Sequence, residues 1–286
     1  MTTMPIPPVI QAAGLAGLLD SPQLLIVDCR FDLANAQLGP KAYAQGHVPG
    51  AVFASMDHDL AAPRTPRTGR HPLPSPAAFA RLLGSWGYTP ASRFVVYDQG
   101  GGAGAARLWW MLRARGHSMV QVLDGGWTAW LAHGGAVSTH VPSITPTQVE
   151  EREFAGVVDA AQVADALAGQ RIVLVDARPP ERFSGQSETI DPVAGHVPGA
   201  RNHPYTRNLG AGQQWLAPGK LRQQWASVLE HAANRPMVMM CGSGVTACHN
   251  LLALELAGHS GGQLYAGSWS EWITDPARPV ATGEDP

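Results

Sequence analysis

The sequence predicts an α/β protein built from two tandem copies of one domain, each a mainly parallel sheet flanked by helices. Three observations lead to this prediction. Four sequence blocks occur twice in the same order, apolar runs typical of buried strands alternate with helical segments, and each predicted helix ends at a Gly-His pair. The length of 286 residues fits about two domains of ordinary size.

The duplication rests on four pairs of blocks. The pairs, first copy and then second, are residues 24–30 with 172–178, 46–51 with 195–200, 93–98 with 236–241, and 122–127 with 264–269. The first pair is an apolar run that ends in Asp-x-Arg, and the second reads Gly-His-Val-Pro-Gly-Ala in both copies. We therefore expect a non-catalytic domain over residues 1–140, a linker over 141–156 and a catalytic domain over 157–286.

Each copy begins with a short apolar run ending in an acid, as a buried parallel strand does. A second run, a Gly-rich turn and a helix rich in Leu, Ala and Trp follow, and a third run comes last. The predicted strands are 24–28, 93–98 and 119–123 in the first copy and 172–176, 237–240 and 263–265 in the second, with helices near 105–115 and 246–257.

Composition excludes several function classes. Lys and Arg number 20 against 22 Asp and Glu, so the net charge of -2 offers no sequence-wide attraction for nucleic acid or an anionic membrane. No Lys or Arg precedes Arg30, so we expect no secretory or transit leader, and no apolar stretch approaches the roughly 18 residues of a membrane span. Three cysteines form no disulfide framework, which favours a cytoplasmic protein.

The candidate nucleophile is Cys241, which follows the second apolar run of the second copy. Residues 241–247 read Cys-Gly-Ser-Gly-Val-Thr-Ala. A loop between a strand and a helix N-terminus points its N–H groups inward, and these groups with the helix dipole favour a thiolate. Gly242 and Gly244 let such a loop curl. The alternative is a buried structural cysteine, but the first copy has Asp98 at the matching place, so the thiol is specific to one copy.

These residues resemble the two-domain rhodanese family of sulfurtransferases, in which an inactive N-terminal domain precedes a catalytic copy. The resemblance covers nearly the whole chain and is carried by residues 28–30, both Gly-His-Val-Pro-Gly-Ala blocks, residues 124–127 and residues 241–247. The loop is similar to that of the 3-mercaptopyruvate branch. The thiosulfate branch has cationic residues after the cysteine, where this chain has Gly242 and Ser243.

The resemblance implies that Cys241 takes sulfur from a small anionic donor, becomes a persulfide and passes the outer sulfur to cyanide or to a thiol, for example that of a small redox protein. It also implies a proton relay of Ser243, His71 and Asp57, with the last two residues in the first copy. The other reading makes His71 a loop histidine and Asp57 a helix cap, and the match could shift to His58 or Asp59.

The resemblance further implies that Arg182 binds the anionic group of the donor. The cup around the sulfur is implied for Gly242, Gly244, Val245 and Thr246. Mercaptopyruvate enzymes often carry a second substrate arginine some nine residues after the first, but residues 189–192 read Thr-Ile-Asp-Pro. Thiosulfate therefore stays open as the donor.

Other readings are less well supported. Cysteine phosphatases hold their oxyanion with an arginine six positions after the cysteine, and that position is Ala247. A non-catalytic binding module has no need to keep the thiol and its cup together. The Gly-x-Gly segment at 102–104 lacks the third glycine of a dinucleotide site, and no ligand spacing occurs among the His and Cys residues, so we expect no cofactor and no metal. Cys248 is read as a core residue, with a resolving thiol as the alternative.

Overall fold

The computed structural model describes residues 6–284 and divides them into two compact units. The first comprises the chain up to Ala62 with residues 73–155 and 211–215, and the second comprises residues 63–72, 156–210 and the chain from Leu216 onward. Residues 1–5 and 285–286, which include part of the segment tested for a leader, lie outside the described range. Within that range, no helix is long and apolar enough to cross a lipid bilayer.

The first unit contains a five-stranded parallel sheet in the order β1-β5-β4-β2-β3. Its strands are β1 (Val9–Ile10), β2 (Leu24–Asp28), β3 (Val52–Phe53), β4 (Arg93–Tyr97) and β5 (Val120–Leu123). Its helices are α1 (Ala12–Ala16), α2 (Leu38–Gln45), α3 (Pro76–Ser85), α4 (Ala103–Ala114) and α5 (Gly126–Ala132). The central strands are buried, which explains their almost unbroken apolar sequences.

The second unit repeats this topology, with a parallel sheet in the order β6-β10-β9-β7-β8. Its strands are β6 (Val157–Val158), β7 (Val173–Asp176), β8 (Arg201–Asn202), β9 (Met237–Met240) and β10 (Gln263–Tyr265). Its helices are α6 (Ala160–Ala168), α7 (Pro180–Phe183), α8 (Pro218–Ala232), α9 (Thr246–Leu256) and α10 (Ser268–Trp272). The predicted fold class, two α/β copies with parallel sheets, is confirmed.

The repeated sequence blocks contact one another inside each unit. In the first, Arg30 donates to the Asp28 carboxylate over 2.6 Å and to the carbonyl oxygen of Gly46 over 2.6 Å, and its guanidinium lies 4.8 Å from the ring centroid of Trp127. The second unit builds the same cluster from Arg178, Asp176, Gly195 and Trp269. Because both arginines are buried against a carboxylate, a structural role accounts for the occurrence of Asp-x-Arg in both copies.

Candidate active site

Cys241 follows β9, so its side chain lies at the carboxyl end of a central strand of the second sheet. Its backbone is held on both sides. The Cys241 amide donates to Oγ of Ser268 over 3.0 Å, and its carbonyl oxygen accepts from the Trp269 amide over 2.9 Å. The residue is buried, with 2% of its surface exposed. The loop before α10 therefore fixes where the thiol points.

Two backbone amides of the loop donate to the sulfur. Sγ of Cys241 accepts from the Gly244 amide over 3.1 Å and from the Ser243 amide over 3.5 Å. Gly244 has φ +78°, and a Cβ there would overlap the carbonyl oxygen of Ala266. Glycine is thus required at this position. The chain then enters α9 through Val245 and Thr246, with the positive end of the helix dipole beside the cup.

In the first unit, the loop that corresponds to residues 241–245 holds a carboxylate instead of a thiol. Asp98 stands after β4 at the place of Cys241 and accepts four backbone N–H bonds. The donors are the amides of Gly100 (3.0 Å), Gly102 (3.1 Å), Gly104 (2.9 Å) and Ala105 (3.3 Å). Burial raises the pKa of Asp98 to about 6, against the lowering effect of these bonds. Both units therefore direct backbone N–H groups at the side chain that follows the strand, and only the second unit presents a thiol there.

Two members of the predicted relay meet in the second unit. Nδ1 of His71 lies 2.8 Å from Oγ of Ser243, and both side chains are buried. The segment that carries His71 is held by its neighbours, because the Arg70 amide donates to Oγ of Ser270 over 3.0 Å and Gly69 lies against the carbonyl oxygen of Gly267. Because these contacts hold its backbone in place, His71 keeps a defined position next to the hydroxyl of Ser243.

The third predicted member, Asp57, lies on an exposed turn of the first unit after β3. Its neighbour His58 is also exposed, whereas Asp59 is half-buried and accepts from the Ser55 amide over 2.7 Å. The role of Asp57 in the relay stays a prediction.

Two guanidinium groups approach the loop at Gly242, directly after the nucleophile. A Cβ on Gly242 would lie 2.7 Å from Nη2 of Arg70 and 3.5 Å from Nη1 of Arg182. Arg182 was predicted, whereas Arg70 was not. Arg70 could have been predicted because it directly precedes His71. If His71 reaches the loop, its chain neighbour must also lie close to the loop. The loop thus has a second arginine beside it, contributed by a segment that is distant from residues 189–192 in sequence but not in space.

Two carboxylates hold these arginines. Nε of Arg182 donates to both oxygens of Glu188 over 3.0 Å, and Nη2 of Arg182 donates to Oδ2 of Asp191 over 2.9 Å. Nη1 of Arg70 bonds the other oxygen of Asp191. Burial raises the pKa of Asp191 despite both arginines. Burial alone would also raise the pKa of Glu188, but hydrogen bonds from Arg182 and two backbone amides lower it below its ordinary value.

The other two thiols lie in apolar or acidic surroundings. Burial, followed by the charges of Asp28, Asp98 and Asp59, raises the pKa of Cys29 well above its ordinary value. Cys248 is fully buried in α9, and its Sγ donates to the carbonyl oxygen of Gly244 over 3.3 Å. The complete burial of Cys248 is what a core residue requires.

Comparisons with known proteins agree with this geometry. The family model for the rhodanese-like domain matches residues 11–133 and 159–275. A Pseudomonas aeruginosa protein named as a probable 3-mercaptopyruvate sulfurtransferase is 48% identical over 278 residues, covering 96% of this chain and 98% of that protein. A Bos taurus thiosulfate sulfurtransferase is 33% identical, covering 88% of this chain and 86% of that protein.

Solved structures give the same result. SseA of Escherichia coli, a 3-mercaptopyruvate sulfurtransferase, superposes with a TM-score of 0.81 at 30% identity, covering 93% of this chain and all of that one. The Leishmania major 3-mercaptopyruvate sulfurtransferase superposes with a TM-score of 0.84 at 31% identity, covering 96% of this chain and 76% of that one. Both halves of the sequence thus match one domain family, and the chain is a two-domain member of the rhodanese family.

Proposed function

We propose that this chain is a sulfurtransferase that moves sulfur from 3-mercaptopyruvate to a thiol or cyanide through a persulfide on Cys241. The observation that carries the proposal is the thiol itself, which receives two backbone N–H bonds and lies beside two arginines. An amide-lined cup stabilises negative charge on sulfur, and the arginines suit a donor with a carboxylate. The 48% identity to a relative named for this activity supports the same donor.

In the first half-reaction, the Cys241 thiolate attacks the sulfur of 3-mercaptopyruvate. A sulfur–sulfur bond forms, the carbon–sulfur bond breaks, and its electron pair leaves on carbon as the enolate of pyruvate. The enolate takes one proton to become pyruvate, and the enzyme is left as the hydropersulfide or its anion. The persulfide anion that remains carries its negative charge on the outer sulfur, and the amides of the loop can stabilise that charge.

We assign the proton of that step to the Ser243–His71 pair. Oγ of Ser243 lies next to the nucleophile in the chain and 2.8 Å from Nδ1 of His71, so the hydroxyl can give a proton to the enolate and recover it from the imidazole. Asp57 would orient the imidazole in this scheme. The Ser243–His71 pair thus supplies a proton at the step in which the carbon of the enolate must be protonated.

Arg182 and Arg70 are proposed to hold the donor. Their side chains keep 13% of their surface exposed, whereas the sulfur and the Ser243–His71 pair are buried. A donor that enters past the guanidinium groups is bound by its carboxylate and brings its sulfur to Cys241. In the second half-reaction, cyanide or a thiolate attacks the outer sulfur of the persulfide, and the Cys241 thiolate leaves.

The acceptor in the cell is proposed to be a thiol, including that of a small redox protein, and the reducing cytoplasm is the proposed location. All three cysteines are free, which suits a reducing compartment. Thiosulfate is the alternative donor, favoured by the resemblance to the Bos taurus thiosulfate sulfurtransferase and by the second arginine at the loop.

The experiment measures sulfur on the protein and turnover together. Intact-mass analysis after treatment with 3-mercaptopyruvate should show one added sulfur, which cyanide or a thiol removes. The variant Cys241→Ser should gain none, and kcat/KM on one preparation should be higher for 3-mercaptopyruvate than for thiosulfate. Turnover of donor by the Cys241→Ser protein would contradict the proposal. If the wild type formed no product with either donor, a non-catalytic binding module would be favoured instead.

A further inference from the structure

The two arginines at Gly242 differ in how they are held. Arg182 is enclosed by two carboxylates, Glu188 and Asp191. Arg70 has Asp191 as its carboxylate, and within the described residues its buried Nε has no hydrogen-bond partner. Asp191 therefore joins the two cations through its two oxygens, and Arg70 keeps donor capacity that its ion pair does not use.

The backbone places Arg70 firmly at this position. Its amide donates to Ser270, whose own amide donates to the carbonyl oxygen of Gly242 over 3.0 Å. The next residue, His71, is bonded to Ser243. Because its segment is fixed on the loop at two neighbouring positions, the Arg70 guanidinium is preorganised over the residue that follows the nucleophile.

The charges of the cluster balance. Arg70 and Arg182 carry two positive charges, and Glu188 and Asp191 carry two negative charges, all within one connected set of ion pairs. The neighbouring Arg178 joins the set through Nη1, which lies 3.6 Å from Oε2 of Glu188, and its own partner Asp176 cancels the charge that it adds. A neutral cluster can bind one anionic group by hydrogen bonds to its guanidinium groups, but it has no surplus charge to stabilise a second negative charge.

We propose that Arg70 and Asp191 form a charge-setting pair: Arg70 binds the anionic end of the donor beside Arg182, and Asp191 makes the site prefer a monoanionic α-keto thiol to a dianion. The inference rests on the proposed function and names the residues that decide between its two donors. 3-Mercaptopyruvate carries one negative charge at neutral pH and thiosulfate carries two. Asp191 repels the second charge, and it also positions Arg70.

The first test removes the negative charge. Asp191→Asn should raise kcat/KM for thiosulfate relative to 3-mercaptopyruvate by about tenfold, since one unit of repulsion disappears next to a donor with one extra charge. Glu188→Gln removes a charge from the other ion pair and should shift the ratio in the same direction. Thermal unfolding of each variant shows whether the fold is kept.

The second test removes the cation. Arg70→Met should raise KM for 3-mercaptopyruvate about tenfold with a smaller change in kcat, and should weaken thiosulfate turnover more strongly. Arg67→Met is the matched control, because Arg67 is an exposed arginine on the same segment, and it should behave as the wild type. The double variant Arg70→Met/Asp191→Asn restores the balance of charges, so its donor ratio should return to within about threefold of the wild type.

Two results would overturn the inference: a donor ratio of Asp191→Asn and Glu188→Gln within about twofold of the wild type, or an Arg70→Met variant with unchanged KM for both donors. Failure of the proposed function has a different signature, namely that wild-type Cys241 gains sulfur from neither donor. In that case, protection of Cys241 against alkylation by pyruvate and by thiosulfate is compared in wild type and Asp191→Asn. A shift towards thiosulfate supports the charge-setting pair, and an unchanged ratio rejects it.

Discussion

Ser243 contacts both Cys241 and His71, through two different groups. Its amide donates to Sγ of Cys241 over 3.5 Å, while its hydroxyl lies 2.8 Å from Nδ1 of His71. The amide belongs to the backbone and survives replacement of the side chain. Substitution at this residue therefore separates anion binding at sulfur from proton delivery.

Ser243→Ala should lower kcat for 3-mercaptopyruvate by about 10- to 100-fold while leaving sulfur transfer from thiosulfate within about threefold of the wild type. The reason is that the leaving enolate must be protonated on carbon, whereas sulfite leaves without that step. Steady-state kinetics with both donors checks the difference, and Ser227→Ala, at an exposed serine of α8, serves as control. An equal loss with both donors would show that the hydroxyl does not serve the enolate.

The sequence of one continuous motif was enough to find the residues around the sulfur, and the family resemblance added Arg182 and His71. Cys241, Ser243 and Gly244 stand in one loop, and its position between β9 and α9 determines which way their amides point. Arg70 and Asp191 could not be found in this way. Their ion pair joins positions 121 residues apart in the chain, and neither position alone indicates that the other lies beside it.

At the scale of the secondary-structure elements, the length of a helix or strand determines whether the sequence predicts it. The helix predicted near residues 246–257 is α9, Thr246–Leu256, and the strand predicted at 263–265 is β10. The edge strands β1, β3, β6 and β8 were not predicted, because two residues carry no periodic signal. They form where a longer strand already offers a free edge, which is a property of the folded sheet.

The turn after β8 carries a buried polar cluster that makes the stability of this part of the fold depend on pH. Nε2 of His203 lies 3.2 Å from Oδ1 of Asn208, and the ring of His203 stacks on Trp225 at 3.8 Å. Oδ1 of Asn208 also accepts from Nε1 of Trp225 over 2.9 Å, so Nε2 of His203 is the donor in its bond. Burial lowers the pKa of His203 to about 4.

The second unit should therefore lose stability as the pH falls from about 6.5, the unfolded-state value, towards 4. Across that range the unfolded chain binds a proton that folded His203 does not, so the free energy of unfolding decreases with decreasing pH, by about 2 kcal/mol between pH 7 and pH 5. His203→Phe keeps the stack on Trp225 but has no proton to bind, and it should lack this part of the slope.

Urea unfolding followed by tryptophan fluorescence at pH 7 and pH 5 measures the effect. His259→Gln changes an exposed histidine after α9 and should keep the wild-type slope. If wild type and His203→Phe lost the same free energy between the two pH values, the cluster would not be the source of the acid sensitivity.

For the molecule as a whole, duplication gives two equivalent loops, one that begins with the thiol of Cys241 and one that begins with the carboxylate of Asp98. Both units have the same strand order and the same Asp-x-Arg cluster, and their loops, residues 98–102 and 241–245, join equivalent strands and helices. They differ in what lies around the loop. Counted from the repeated Asp-x-Arg, Ala34 stands where the second unit has Arg182. The ring of Trp215 lies against Gly102, with a Cβ there only 3.1 Å from it.

This difference predicts that a cysteine alone does not make the first unit active. In the variant Asp98→Cys/Cys241→Ser, the new thiol should be held by amides that now bind the Asp98 carboxylate, yet it should gain no sulfur from 3-mercaptopyruvate. The ring of Trp215 lies against Gly102 of the loop, and Ala34 stands at the position that corresponds to Arg182. Intact mass after donor treatment checks this, with wild type as the positive control. One added sulfur on residue 98 would mean that backbone amides suffice for the transfer, and that the arginines of the second unit serve affinity alone.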